Sequence, residues 1–244
     1  MTHLFVRAAV AGAILVTAPV VHAGDWQHEI APYLFAAGMD GTSGIGPVET
    51  EVSQSFSDIV SNLEMGFMGA YRGTKDRYSI TVDTIYMSLG ATEKGPGGVL
   101  KGDIGLDQLA LEGDFGYAIS DAVTVLGGLR YNDISSDVKV SGPLGVRKAS
   151  GSKSWVDPLV GAIYTHRFND TWSLNLRGDV GGFGIGSDFA WQGLATVRWQ
   201  VTPTVGVLGA YRYIDMDYED GSGNRRFLYD MAISGPALGV VFSF

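Results

Sequence analysis

From Trp26 to Phe244 apolar and polar side chains alternate with a period of two, and the rhythm restarts many times along the chain. Successive side chains of an extended strand point to opposite faces, so this alternation specifies strands with one apolar and one polar side. In Ala122–Asn132, Val123, Val125, Gly127, Leu129 and Tyr131 share one face, and Thr124, Leu126, Gly128, Arg130 and Asn132 share the other. Thr171–Phe183 repeats the pattern, with Trp172, Leu174, Leu176, Gly178 and Val180 opposite Ser173, Asn175, Arg177, Asp179, Gly181 and Phe183. Ten such segments are expected, near 25–39, 62–73, 76–90, 104–118, 121–134, 154–168, 171–184, 188–202, 204–218 and 227–244. Short turns at Gly73-Thr74-Lys75, Ser120-Asp121, Asn169-Asp170 and Pro203 alternate with longer connections at 40–61, 91–103, 135–153 and 219–226, whereas 185–187 is short.

The first 23 residues break the rhythm. Arg7 is their only charge, Ala8–Val21 is almost wholly apolar, and Val21-His22-Ala23 offers small residues before a cut at Gly24. That order is the signature of a secretory signal. Its apolar run is too short to cross the ~30 Å of hydrocarbon that needs about 20 residues. The expected division is therefore 1–23 signal peptide and 24–244 one barrel domain. Loss of Arg7 takes the formal charge from −9 to 16 − 26 = −10, which argues against a nucleic-acid partner. The chain has no cysteine, so disulfides and thiolate metal sites are excluded. No later stretch of 18 apolar residues is present, so a membrane-integral product must be a closed barrel.

Which face is apolar decides between a soluble barrel and a membrane one. Tyr71, Tyr117, Tyr131, Trp172, Trp191, Trp199, Tyr211 and Tyr213 all fall on the apolar parity, near strand ends. Aromatic girdles of this kind flank the lipid-facing band of membrane barrels. The fold class expected is all-β: a transmembrane antiparallel up-and-down barrel of about ten strands, with eight or twelve as alternatives. An even count sets both termini on the short-turn, periplasmic side. Leu238, Val240, Phe242 and Phe244 alternate at the end of the chain, the form of the signal that such barrels present to their assembly machinery.

Trp26, Glu29, Pro32-Tyr33-Leu34, Gly38-Met39-Asp40-Gly41 and Ser55-Phe56-Ser57-Asp58-Ile59 open a longer pattern. It continues through Trp155-Val156-Asp157-Pro158, Gly161, Gly178-Asp179-Val180-Gly181-Gly182-Phe183-Gly184, Tyr211-Arg212-Tyr213 and Gly235-Pro236 with Gly239. With these residues the chain resembles a family of mostly uncharacterised proteobacterial outer-membrane β-barrel proteins, in architecture like the small OmpA/OmpW-like barrels. The resemblance implies a fold and a place in the outer membrane of a Gram-negative bacterium. It carries no activity residue by residue.

The polar parity places Glu29, Glu64, Asp83, Glu112, Asp114, Asp157 and Asp179 in the lumen. Arg72, Arg130, Arg177, Arg198 and Arg212 join them, with Gln192 and Thr196. An unpaired buried charge costs several kcal/mol, so acid–arginine pairing is expected. Inner glycines such as Gly128 and Gly161 leave room for the arginines. Barrels of eight strands are just filled by side chains, and open channels need about 16. The main expectation is a filled barrel with surface loops in a structural or interaction role, in contact with outer-membrane lipid and lipopolysaccharide. A narrow porin-like channel for ions or small solutes is the second reading, and an outer-membrane hydrolase the third.

Three smaller signals point elsewhere. Residues 49–63 form the one helical segment expected after the signal, with Ser55 or Ser57 as cap and Phe56, Ile59, Val60 and Leu63 as an apolar stripe. Asp215–Gly221 is acidic but breaks calcium-loop spacing, so it reads as a solvated outer loop, and no cofactor or metal is expected. His28 and His166, the only histidines after the signal, map to periplasmic strand ends without a nucleophile beside them, and no enzyme is expected.

Overall fold

A computed structural model of the chain describes residues 26–94, 101–142 and 145–244. The signal peptide expected at 1–23 and the cut expected before Gly24 lie outside the described residues. Twelve strands form one antiparallel sheet: β1 Gln27–Phe35, β2 Gly38–Ile45, β3 Val48–Gln54, β4 Leu63–Lys75, β5 Tyr78–Lys94, β6 Lys101–Ala118, β7 Val123–Gly142, β8 Gly145–Arg167, β9 Trp172–Gly181, β10 Phe189–Thr202, β11 Val205–Asp220 and β12 Phe227–Ser243. Among the described residues one α-helix, α1, spans Phe56–Ser61, and a single 3-10 turn covers Gly223–Arg225.

Ten of these strands close the barrel. The ladder runs β1-β4-β5-β6-β7-β8-β9-β10-β11-β12, and β12 returns to β1 with Glu29 opposite Ser243 and Leu34 opposite Leu238. The apolar parity faces outward, where Leu238 is 65% exposed and Tyr211 55%. Trp172 stacks on Trp199, and Trp191 on Tyr213, across neighbouring strands of that outer wall. So continuous an apolar exterior cannot be stable in water, and a closed barrel is the sheet form whose backbone needs none.

The N-terminal third departs from the simple alternation. The expected strand at 25–39 breaks at Ala36 and Ala37, and the expected loop at 40–61 is mostly ordered. β2 pairs with the outer half of β12, Gly38 facing Ser234 and Ile45 facing Phe227, and β3 folds back on β2. The helix expected over 49–63 is confined to Phe56–Ser61, because residues 48–54 find a strand partner in β2. Ser55 caps it: its hydroxyl accepts from the Asp58 amide, and the Asp58 carboxylate accepts from the Ser55 amide at 3.0 Å. The expected long connections at 91–103 and 135–153 are largely taken up by strand extension, since β7 and β8 pair from Val123 opposite Tyr164 to Gly142 opposite Gly145.

These departures interrupt the wall. β1 pairs with β4 only between Gln27 and Pro32, opposite Thr74 to Gly69. Above that level, among the described residues, Leu63–Met68 of β4 ladder only with β5, and β3 ladders only with β2. α1 lies in the chain between these two edges. It packs on β2, and the Asn62 carbonyl after it accepts from the Gly90 amide of β5 at 2.8 Å.

Candidate functional site

The inner parity of the strands builds a lumen with three zones along its axis. At the end that holds the termini and short turns, Arg198 of β10 reaches Glu29 of β1 at 2.7 Å and donates to Ser243 of β12. Arg72 of β4 stands beside them. This zone lines a vestibule of about 650 Å3 that includes Thr165, Trp172 and Phe244.

The middle zone is a closed layer of charge. Arg177 of β9 contacts three carboxylates, Glu112, Asp114 and Asp179, each at 2.7 Å. Arg130 of β7 shares Glu112 at 2.7 Å and Asp179 at 3.1 Å. Arg212 of β11 reaches Asp83 at 2.7 Å and donates through Nε to Gln192, while Gln192 donates to Asp179. The Tyr33 hydroxyl donates to Asp83 at 2.6 Å. Five of the ten barrel strands, β5, β6, β7, β9 and β11, thus supply the charged groups of one connected layer. Planar guanidinium forks explain how so few cations hold so many oxygens. Glycines make the space: a Cβ on Gly128 would lie 2.4 Å from Asp114 Oδ1, and one on Gly161 would lie 2.6 Å from Asp179 Cβ.

Two of the acids expected in this network sit apart from it. Asp157, 0% exposed, accepts from the Ser187 amide and hydroxyl, the Trp155 indole and the Asn132 amide, with no arginine among them. Glu64 is exposed at the outer end of β4, where one extra residue in the ladder between Leu63 and Met65 disturbs the alternation. It lines an outer vestibule of about 640 Å3 with Asp107 and Lys139.

The outer zone is apolar, and the alternation alone did not reveal it. Met39, Met68, Met87, Ile85, Ile214 and Met216 line a cavity of about 60 Å3 directly above the charge layer, which supplies Glu112, Arg130 and Arg212 as its floor. Above it Trp155 stacks on Tyr218 with ring centroids 4.1 Å apart, and Tyr229 packs against the same indole. A signal was present in the sequence: along β11 the inner parity reads Arg212, Ile214, Met216, Tyr218, so its charge stops after one residue. Ile59 of α1 also lines the cavity, while Phe56 and Val60, which flank it on the apolar stripe, are exposed.

The rim is tied by exposed ion pairs. Arg226 grips Glu219 with two donors at 2.8 and 2.9 Å and also bonds Glu49 of β3, which holds its guanidinium above its ordinary pKa. Lys153 pairs with Asp220. The acidic run at 215–221 is therefore engaged by Tyr213, Lys153 and Arg226. At α1 the Ser55 hydroxyl and amide hold the Asp58 carboxyl below its usual range. His28 bonds the Tyr71 hydroxyl at 2.8 Å and stacks on Phe244, and His166 meets Phe168 edge-on.

No protein-family model matches the chain, and no curated protein matches it. Among solved structures it is similar to the outer-membrane protease OmpT of Escherichia coli, with a TM-score of 0.56 and 10% identity over 93% of this chain and 99% of that one. The attachment invasion locus protein Ail of Yersinia pestis gives a TM-score of 0.42 at 13% identity, covering 90% of this chain and 98% of that one. The translocator domain of the autotransporter NalP of Neisseria meningitidis gives 0.46 at 15%, covering 91% and 90%. At 10% identity the likeness to OmpT speaks for architecture alone: this chain has the fold of an outer-membrane β-barrel.

Proposed function

We propose that the chain is an integral outer-membrane protein whose barrel is closed to ions at mid-height, and which acts through its outer half and rim as a structural or interaction element. The single observation that carries this reading is the charge layer of Arg130, Arg177 and Arg212 with Glu112, Asp114, Asp179 and Asp83. The groups of that layer are engaged with one another across the lumen. An ion passing through would have to break several charge-assisted contacts at once, and each is costly to leave unmade. The exposed apolar wall supports residence in lipid, with export by the signal at 1–23 and cleavage before Gly24. Lipopolysaccharide and membrane lipid are the surroundings this surface fits, and the outward-facing Leu238, Val240 and Phe242 fit recognition by the barrel-assembly machinery.

The reading is non-catalytic, since both histidines of the barrel are engaged by Tyr71, Phe244 and Phe168 rather than by a nucleophile. Planar-bilayer recording tests the closed state. The refolded barrel is expected to insert without unitary current, and Arg130→Ala combined with Arg177→Ala is expected to conduct. Stable single-channel steps from the unaltered protein would replace this reading with that of a narrow channel.

A further inference from the structure

We propose that the outer zone of the lumen is a binding chamber for a small, neutral, apolar molecule carrying one hydrogen-bond donor, and that the molecule enters it from the bilayer past α1. This goes beyond the closed-barrel reading, because a chamber above the charge layer needs no conduction.

The walls set the first part of the ligand's chemistry. Protein interiors hold few voids larger than a water molecule. Here about 60 Å3 stands open among mostly apolar side chains, less than half of the ~150 Å3 that admits a benzene ring, so an aromatic guest is taken up only as the lining repacks around it. Four of the chain's seven methionines, Met39, Met68, Met87 and Met216, line it. Methionine is unbranched and polarisable and reshapes around guests of differing outline.

The floor sets the charge. Arg130 and Arg212 spend their forks on Glu112, Asp179, Asp83 and Gln192. A carboxylate guest would find no unengaged cation and would lose its hydration, so the site selects a neutral molecule.

One polar atom sets the donor. Asn132 is 2% exposed and lines the chamber. Its Nδ2 donates to Asp157 Oδ2, an acceptor, which fixes the amide orientation and leaves Oδ1 without a hydrogen-bond partner. A buried acceptor left unmade costs about 1–3 kcal/mol, and a hydroxyl on the guest would satisfy it.

The interrupted wall sets the route. Among the described residues no ladder joins β3 to β4 in the outer half, and a six-residue helix lies in the chain between them, with Ile59 on the cavity and Phe56 and Val60 exposed. So short a helix has little stability of its own, and its displacement breaks no rung of the barrel. Apolar solutes concentrate in hydrocarbon, which places the ligand at that side of the wall.

The test uses the refolded full barrel in lipid nanodiscs with 13C-labelled methionine methyls, titrated with p-cresol, toluene and p-toluate. p-Cresol should shift Met39, Met68, Met87 and Met216 saturably. Met65, 58% exposed on the outer wall, should report only partition into lipid. p-Cresol should bind about three- to tenfold more tightly than toluene, the worth of one hydrogen bond, and p-toluate should not saturate. Ala110→Val, which takes up most of the open space without overpacking it, should abolish the shifts, and Asn132→Leu should erase the preference for p-cresol. Should Asn132→Leu not fold, the p-cresol and toluene affinities of the unaltered protein still decide. Asp58→Ala, which uncaps α1, should raise association and dissociation rates together. Shifts that grow without limit and equally at Met65 would overturn the chamber, saturable p-toluate would overturn its selectivity, and unchanged rates in Asp58→Ala would overturn the route. All three outcomes are independent of bilayer current, so the closed-barrel reading stands or falls separately.

Discussion

The middle and outer zones of the lumen lie one above the other on the same strands, yet they are held together by different physics. The middle zone is directional: Arg177 serves three carboxylates from fixed angles, and the layer exists only if every member is in place. The outer zone is dispersive, with methionine, isoleucine and stacked aromatic rings that gain from contact in almost any orientation. A charged interior specifies one arrangement, while an apolar one of flexible side chains tolerates several.

The largest effect should come from the directional layer. Arg177→Ala strands Asp114 and leaves Glu112 and Asp179 with one arginine, and should cost about 3–5 kcal/mol of folding stability, read from urea unfolding of the refolded barrel. Arg77→Ala, in an exposed turn, should stay within about 0.5 kcal/mol. Equal losses for the two would erase the distinction between lumen and rim. Next comes Trp155→Phe, which removes one of the donors on the fully buried Asp157 and should cost about 1–3 kcal/mol in the same assay. Met216→Leu, a near-isosteric change in the dispersive zone, should cost less than about 1.5 kcal/mol, whereas Arg177→Lys, which cannot reproduce the fork, should cost more than that. If Met216→Leu proves the more damaging, the outer zone is as exacting as the middle one. The smallest effect belongs to α1. Ser55→Ala should speed amide hydrogen exchange in the helix about fivefold, the equivalent of about 1 kcal/mol. The Asp58 carboxyl is held below its ordinary value by Ser55, so its contribution is complete above that value and fades as pH falls through the lowered one. Protection from exchange in α1, taken relative to the intrinsic amide rate at each pH, should therefore fall in acid, and a pH-independent protection in Ser55→Ala should confirm the cause.

The barrel itself was legible because a period-two pattern with outward Tyr and Trp admits one closed arrangement, and ten alternating segments became ten barrel strands. The charged residues were legible for the same reason: parity alone sends Arg130, Arg177 and Glu112 inward. Parity does not say at what height a side chain sits, so the apolar zone above Arg212 and the separate place of Asp157 beside Ser187 were hidden. The hairpin β2–β3 escaped because Gly38–Gln54 is rich in glycine, serine and acids, which reads as loop until β12 offers a free edge. Glu64 was placed inward because an extra residue in a ladder leaves no mark in the composition.

β12 has three neighbours: β11 along its whole length, β1 along its lower half and β2 along its upper half. Its rungs to β1 join residues as remote as Glu29 and Ser243. Contacts so distant in sequence are slow to form, since the intervening chain must be gathered before they repay its lost freedom. Until the seventeen residues of β12 dock, the β2–β3 hairpin has no edge to lie on and the cylinder stays an open sheet with two reactive margins. Assembly of this protein is thus arranged so that β12 both seals the seam against β1 and seats the β2–β3 hairpin.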